Sequence, residues 1–176
     1  MKKIVFTGGP CSGKSTILEE LSKRGFSVLR ETAKEIVTKR KDIPMTKEES
    51  EIRQDLIFNE QLKKEENAEG GLIGVLFLDR SLIDGLGYSV LYEGEDSIKR
   101  YTPMIKEKEY NKIFLFERLP FDSQGFRPET EEEANRIHSA MNSIYKRFGY
   151  EPINVQKMSV KRRVNFVLEN VFEEHY

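Results

Sequence analysis

Short apolar runs alternate with longer amphipathic segments along the whole chain. Several of the runs lack the alternation of apolar and polar positions that marks a half-buried strand, and this is typical of strands covered on both faces. The pattern predicts strands at 4–6, 26–29, 72–78, 112–116 and 153–155.

The segments between these runs carry apolar residues every three or four positions, which predicts helices. Thr46, with Glu49 three residues later, has the pattern of a capping box at the start of the longest one. In the helix after the second strand, Ala33, Ile36 and Val37 are expected to face inward. The predicted helices span 15–23, 32–41, 46–68, 82–92, 97–107, 130–148 and 159–173.

Strands that alternate with helices predict an α/β fold, with one parallel sheet covered by helices on both faces as a three-layer α/β/α sandwich. The length of 176 residues and the absence of a Pro/Gly/Ser-rich linker indicate one domain, residues 1–176. In such folds ligands bind at the carboxyl ends of the strands. Candidate chemistry is therefore sought in the residues that directly follow each strand.

The charge balance narrows the possible partners. Lys and Arg number 29 against 30 Asp and Glu, a formal net charge of −1, which gives no support for duplex nucleic acid as a partner.

The single cysteine, Cys11, excludes an internal disulfide and a cysteine-based zinc site. The apolar start at 4–6 is too short for a signal peptide, and no run approaches the roughly 18 residues of a membrane span. We therefore predict a cytoplasmic protein with no membrane span.

The strongest motif follows the first predicted strand. Residues 8–15 read GGPCSGKS and match G-x-x-x-x-G-K-[ST], with a strand before the motif and a helix after it, as a phosphate-binding loop requires. Its glycines allow backbone N–H groups to converge on a phosphate. Lys14 is expected to reach the β- and γ-phosphates and the Ser15 hydroxyl to bind Mg²⁺. The alternative, a glycine-rich turn without a ligand, does not require the lysine and serine. The predicted loop residues are Gly8, Gly9, Pro10, Cys11, Ser12, Gly13, Lys14 and Ser15.

Charged residues also follow the next two strands of the predicted sheet. Asp79 and Arg80 end the run at 72–78, where a carboxylate can hold Mg²⁺ or take a proton from an acceptor hydroxyl, and Arg80 can bind a phosphate. The alternative is a surface ion pair. Glu31 follows the run at 26–29 and is either a general base that faces the same cleft or a first-turn glutamate favoured by its helix dipole.

A lid is predicted at about 117–130. The connection between the fourth strand and the next helix is long for an α/β fold and contains Arg118 and Arg127. Such arginines can close on a transferred phosphoryl group and accelerate its transfer by about 10³–10⁵-fold. The alternative is a solvated charged loop. Arg136 either joins this lid or pairs with Glu132 or Glu133 on a helix surface.

Several sequence blocks together carry a family resemblance. In order, they are GGPCSGKST at 8–16, ETA at 31–33, DRSLIDG at 79–85, GFRPE at 125–129, RIH at 136–138 and the segment 145–151. These blocks resemble the small P-loop ATPases of the AAA type that are related to the nicotinamide-riboside kinase domain and to nucleoside and nucleotide kinases. The resemblance covers essentially the whole chain.

The resemblance implies a P-loop NTPase fold with a five-stranded parallel sheet in the order 2-3-1-4-5. It also implies that Lys14, Ser15 and Thr16 bind ATP and Mg²⁺ and that Glu31 acts as a base. Together with the position of Asp79 after its strand, this makes Ser15 and Asp79 the expected metal ligands. One departure is that Asp79 stands where deoxynucleoside kinases have glutamate, and no base-recognition motif of a known substrate class is present. The site residues that the resemblance implies are Lys14, Ser15, Thr16, Glu31, Asp79, Arg80, Arg118 and Arg127.

Two functions fit these observations. The first is a kinase that transfers phosphate from ATP to a small nucleoside- or nucleotide-like acceptor, bound between Glu31, Asp79-Arg80 and the long helix. On that helix Arg53, Phe58 and Gln61 are spaced to face the cleft, although core packing explains Phe58 as well. The second is a nucleotide-dependent binding switch, which would hydrolyse ATP or GTP slowly and use no acceptor. The absence of an Asn-Lys-x-Asp motif favours ATP over GTP. A large AAA remodelling machine is disfavoured because the chain has no separate helical lid domain. The sequence predicts no particular acceptor and no oligomeric state.

Overall fold

The strands and helices alternate along the chain. A computed structural model describes residues 1–44, 46–71, 74–120 and 130–172. The strands are β1 (Lys2–Thr7), β2 (Ser27–Leu29), β3 (Val75–Asp79), β4 (Lys112–Phe116) and β5 (Ile153–Val155). The helices are α1 (Lys14–Lys23), α2 (Thr32–Lys39), α3 (Lys47–Glu69), α4 (Leu82–Glu93), α5 (Ser97–Ile105), α6 (Glu131–Arg147) and α7 (Val160–Phe172).

The strands form one parallel sheet in the order β2-β3-β1-β4-β5. This confirms the predicted α/β fold and the strand order that the family resemblance implied. The predicted bounds of β4 and β5 match the structure, whereas β3 begins at Val75, and positions 72–73 of its predicted range lie outside the described residues.

Two apolar clusters cover the two faces of the sheet. Successive strand residues point to opposite faces, so Val5 packs in one cluster, with residues of α3, α4, α5 and α6. Ile4 and Phe6 pack in the other, with residues of α1 and α7. The predicted three layers are therefore present. Because all strands are parallel, their carboxyl ends lie at the same edge of the sheet.

Helix α2 departs from its prediction. It ends at Lys39 rather than at residue 41, and Val37, which was expected to face inward, is 43% exposed. The preceding strand β2 has only three residues, and none of them is fully buried, so it offers little apolar surface to cover. Helix α2 packs on α3 instead, and Thr32 is the buried residue of the helix.

The start of α3 was only partly predicted. The Thr46 hydroxyl accepts a hydrogen bond from the Glu49 N–H, as expected for a cap. The Glu49 carboxylate does not complete a capping box, however, because it binds the guanidinium groups of Arg40 and Arg53. Across the ranges that the structure describes, no helix has the length and apolar character needed to cross a bilayer.

Candidate active site

The loop between β1 and α1 is held in place through its carbonyl groups. Four consecutive carbonyl oxygens accept hydrogen bonds. The donors are Lys14 Nζ and Ser12 Oγ to Gly9 (3.1 and 3.0 Å), Arg118 Nε to Pro10 (3.4 Å), the Leu119 N–H to Cys11 (2.8 Å) and Arg163 Nη1 to Ser12 (2.6 Å). A trans peptide directs its N–H away from its carbonyl oxygen. Fixing these carbonyls therefore also fixes the directions of the N–H groups that follow them, and such N–H groups are what a phosphate-binding loop uses.

Steric constraints explain why the two fixed glycine positions of the motif, Gly8 and Gly13, do not tolerate a larger residue. Gly8 has a φ of 127°, and a Cβ atom there would lie 2.7 Å from the carbonyl oxygen of Phe116. Gly13 has a φ of 77°, and a Cβ atom there would lie 3.2 Å from Arg163 Nη1. Any larger residue would push the loop away from β4 or from α7.

Lys14 is the first residue of α1, and its side chain is buried against the loop. Its ammonium group donates to the Gly9 carbonyl and, at 2.9 Å, to the Ser12 hydroxyl. Burial and the nearby Arg80 lower the pKa of Lys14 to about 8, while Asp79 and Glu31 oppose this shift. The ammonium is thus desolvated in a position where an anion would stabilise its charge.

Ser15 and Asp79 meet across β1 and β3. The Ser15 hydroxyl donates to Asp79 Oδ2 at 3.0 Å, while Asp79 Oδ1 is buried and has no hydrogen-bond partner among the described residues. Burial raises the pKa of the Asp79 carboxyl, and Glu31 adds to this rise, while Lys14 and Arg80 oppose it. A buried carboxylate oxygen without a donor is suited to bind a cation or a cation-bound water.

The donor set at this point fits Mg²⁺. Within the described ranges, no three His, Cys, Asp or Glu side chains cluster closely enough to form an all-protein metal cage. Mg²⁺ does not need such a cage, because it is commonly bound by one or two protein ligands together with phosphate oxygens and water. Ser15 Oγ and the two Asp79 oxygens are the groups that would hold it.

Arg80, which follows Asp79, links two further acidic residues, Glu31 and Asp84. Its Nε lies 3.0 Å from Glu31 Oε1, and its Nη1 lies 3.2 Å from Asp84 Oδ1. The guanidinium also lies over the ring of Tyr88, 5.2 Å from the centroid. Arg80 has a φ of 71°, which is uncommon for a residue with a long side chain and is found at functional sites. The backbone thus turns sharply after β3 and places this side chain between α2 and α4.

The sequence analysis did not identify Asp84, whose carboxylate binds the guanidinium of Arg80. The buried Asp84 carboxylate accepts hydrogen bonds from the Thr7 hydroxyl, the Ser81 N–H and the Tyr145 hydroxyl. Burial and Asp84 raise the pKa of Tyr145, so its hydroxyl stays a donor. The Ser-x-x-Asp spacing at 81–84, which forms a capping box in α4, was the sequence signal for this residue.

His138 is a second contact that the sequence did not reveal. Its Nδ1 accepts a hydrogen bond from the Gly9 N–H at 3.3 Å. Burial, Lys14 and Arg118 lower the pKa of His138, which favours the neutral imidazole that can accept this bond. The two residues are 129 positions apart, so no local pattern could have related them.

The predicted lid arginines stay predictions. Arg118 lies beside the loop, where its Nη1 donates to Asn135 Oδ1 at 2.6 Å and to the Glu131 carbonyl, so it is tied to α6. Arg127 and the rest of positions 121–129 lie outside the described residues. Arg136 lies near enough to Glu133 to interact with it electrostatically, but the two form no salt bridge, so neither the lid role nor the surface pair is decided for this arginine.

The residues of α3 that were expected to face the cleft are engaged in packing instead. Arg53 binds Glu49 at 2.6 Å, and the Phe58 ring stacks on Tyr101 with centroids 3.8 Å apart. The Gln61 amide also lies among buried groups: it accepts from the Thr32 hydroxyl and donates to Glu65. Regular helical spacing identified the buried face of α3 but could not separate core positions from cleft positions.

The parallel 2-3-1-4-5 sheet, the glycine loop after β1 and the carboxylate at the end of β3 define a P-loop NTPase fold. The family model of the AAA domain matches residues 3–163, and the chain belongs to this family. No curated protein matches the chain at a significant level.

Solved structures share this fold. The deoxyadenosine kinase from M. mycoides with bound dATP is similar over 97% of this chain and 100% of its own, with a TM-score of 0.72 and 18% identity. The NadR protein in complex with NAD and AMP-PNP has a TM-score of 0.75 and 17% sequence identity. The similarity covers 99% of the present chain but 51% of the NadR chain, so the present chain spans about half the length of NadR. The thymidylate kinase from Candida albicans has a TM-score of 0.65 and 14% sequence identity, over 97% of this chain and 90% of its own. At these identities the likeness shows the fold.

Proposed function

We propose that the protein is an ATP- and Mg²⁺-dependent phosphotransferase that acts on a small nucleoside- or nucleotide-like acceptor. The observation that carries this proposal is the position of Asp79: it contacts Ser15 of the loop helix on one side and is followed by Arg80, which binds Glu31, on the other. A group that binds the donor phosphates and a group that could bind an acceptor thus lie next to each other. The names of the similar structures, two kinases and a protein complexed with AMP-PNP, support this proposal.

On the donor side, Lys14 and the loop N–H groups would hold the β- and γ-phosphates of ATP. Ser15 and Asp79 would hold Mg²⁺, which supplies neutralisation of the charge that develops on the phosphates. The remaining loop residues, from Gly8 to Ser12, and Thr16 complete the proposed nucleotide site.

On the acceptor side, Glu31 is the better candidate for the base. Asp79 is 5% exposed and already shares a hydrogen bond with Ser15, which suits a metal ligand. The side chain of Glu31 is 31% exposed and can reach an acceptor hydroxyl. Arg80 would orient this carboxylate, and Arg118 and Arg127 would close over the phosphoryl group from the lid.

A turnover assay tests this proposal. ADP release is measured with ATP and Mg²⁺, first alone and then with nucleosides, nucleoside monophosphates and nicotinamide riboside. We expect at least one of these acceptors to raise ADP release well above the rate with water, and Lys14→Ala to abolish that rise. If ATP binds but no acceptor raises the rate, the binding switch becomes the better account. The switch further predicts that a non-hydrolysable nucleotide changes the protease sensitivity of the lid and that a diphosphate does not.

A further inference from the structure

Arg163 on α7 is a buried cation directly behind the phosphate-binding loop. It is 2% exposed, and its guanidinium donates to three main-chain carbonyls that belong to three different segments. These are the carbonyls of Ser12 in the loop (2.6 Å), Gln156 after β5 (2.9 Å) and Glu117 after β4 (3.3 Å). The guanidinium therefore joins the ends of two strands to the loop.

The charge of Arg163 has no ion-pair partner among the described residues. Each hydrogen bond that it makes within the described part of the chain goes to a neutral carbonyl oxygen, although the Glu117 carboxylate is near enough to interact with it electrostatically. Burial lowers the pKa of Arg163, as expected for a cation removed from water. A buried cation is normally paired with an anion. Besides the nearby Glu117 carboxylate, a phosphate bound on the far side of the loop would be an anion close to this cation.

The contact with Ser12 has a direct consequence for the loop. The peptide between Ser12 and Gly13 is trans, so a carbonyl turned toward α7 directs the Gly13 N–H away from α7. A charged donor on a carbonyl also polarises the peptide and strengthens its N–H as a donor. Gly13 itself permits this approach, because a Cβ atom there would lie 3.2 Å from Arg163 Nη1.

We propose that Arg163 is a positioning residue for the nucleotide phosphates, which orients the Ser12–Gly13 peptide and supplies positive charge from behind the loop. This inference rests on the nucleotide binding in the proposed function and assigns part of that binding to a residue outside the P-loop motif.

Binding titrations with two probes, ATP and inorganic tripolyphosphate, test the proposal. Arg163→Met removes the charge and the three hydrogen bonds while it keeps most of the side-chain volume. We expect it to weaken both probes by the same factor, about 10- to 100-fold, the range for loss of a charged hydrogen-bonding group. Arg163→Lys keeps the charge but cannot bridge three carbonyls, and it should lose less. Arg162→Met, on the exposed face of the same helix, is the matched control and should bind both probes like the wild type.

The outcomes separate this inference from the proposed function. If the wild-type protein binds neither probe, the proposed function fails and this inference fails with it. If the wild type binds both and Arg163→Met binds them equally well, only the role of Arg163 is overturned. A loss confined to ATP, with tripolyphosphate unaffected, would also overturn it, because the effect would then lie at the nucleoside.

A second measurement needs only the wild-type protein and decides the matter if both variants fail to fold. The side-chain Nε–H signal of Arg163 is followed by ¹⁵N NMR, with assignment through its own backbone, as tripolyphosphate is added. We expect this signal to shift at saturation while that of Arg162 stays in place. An Arg163 signal that does not move would contradict the proposal.

Discussion

The donor and acceptor sides of the proposed site hold their charged groups in different ways. On the donor side, Lys14 contacts only neutral loop groups, and Asp79 keeps one buried oxygen without a partner among the described residues. On the acceptor side, Arg80 is bound by two carboxylates, those of Glu31 and Asp84. Under the proposed function, the donor side thus offers free groups for a phosphate and a cation, whereas the charges of the acceptor side are paired with one another.

Under the proposed function, this difference follows from the ligand that each side would bind. Every nucleoside triphosphate offers the same phosphates, which backbone N–H groups, one lysine and one metal can hold. An acceptor must be distinguished from other small molecules, and that needs side chains from several elements. Most of the proposed donor side is therefore a contiguous sequence motif, to which β3 adds Asp79, whereas the acceptor side brings together β1, α2, α4 and α6.

The largest effect is expected from Lys14→Ala, which removes the cation of the donor side. ATP affinity should fall about 100-fold or more, since a charged hydrogen-bonding group is lost from a buried site. The fold should persist, because the hydrogen bonds of Lys14 to the described residues stay within its own loop. A titration and a thermal melt check this, with the exposed Lys23→Ala on the same helix as control. Unchanged ATP affinity would overturn the assignment of the loop.

Glu31→Gln tests the acceptor side. If Glu31 is the base, turnover with an acceptor should fall about 10²–10⁴-fold, while ATP affinity changes little. Glu35→Gln is a matched control, because Glu35 lies on the same helix and pairs with Lys39 at the surface. Steady-state kinetics of the three proteins measure the difference. Equal losses in ATP binding and turnover would instead place Glu31 on the donor side.

Asp79→Asn distinguishes a metal ligand from a base. As a metal ligand, Asp79 would be needed for Mg²⁺, and the variant should require an Mg²⁺ concentration about 10- to 100-fold higher for half-maximal rate. A rate measured against Mg²⁺ concentration is the test. A loss that no concentration of Mg²⁺ repairs would make Asp79, and not Glu31, the base.

The pKa of Lys14 predicts how ATP affinity depends on pH. The free protein loses the Lys14 proton as pH rises through about 8, whereas bound phosphates favour the protonated form. Affinity should therefore be highest below this pH and fall by up to about tenfold for each further pH unit. Titrations on the alkaline side, where ATP is fully ionised, measure this. An affinity that stays constant well above this pH would show that the charge of Lys14 does not contribute.

The smallest effect is expected from Tyr145→Phe, within the acceptor-side network. It removes one donor from Asp84, whose other donors remain. We expect a loss of about 1 kcal/mol in the free energy of unfolding, measured in urea. A loss several times larger, together with a collapse of turnover, would show that Asp84 needs every donor to hold Arg80 in place.

The fold was readable from the sequence because its signals are local. A continuous apolar run located β4 and a short apolar segment located β5, both at their observed bounds, and a match to a contiguous motif located the loop. Family resemblance supplied the strand order, which the sheet confirms. Helix α2 was misjudged because a three-residue edge strand gives Val37 little to pack against.

The contacts around the site were much less predictable. His138 reaches the loop across 129 positions and Arg163 across 151, and neither carries a local signature. On α3, the helical spacing did not distinguish a cleft-facing Gln61 from one that bonds to Thr32 in the interior. The chemistry of the motif could be predicted from the sequence. The side chains that hold the motif in place could not, because their contacts exist only after folding.

The most direct test of the central claim, that a donor site and an acceptor site share one cleft, is to follow the γ-phosphate itself. The protein is incubated with Mg²⁺, ATP labelled in its γ-phosphate and the nucleoside-like acceptors, and the products are separated. We predict that the label appears on an acceptor and that neither Lys14→Ala nor Glu31→Gln transfers it at a comparable rate. Recovery of the label only as inorganic phosphate, from a protein that binds ATP, would contradict the account.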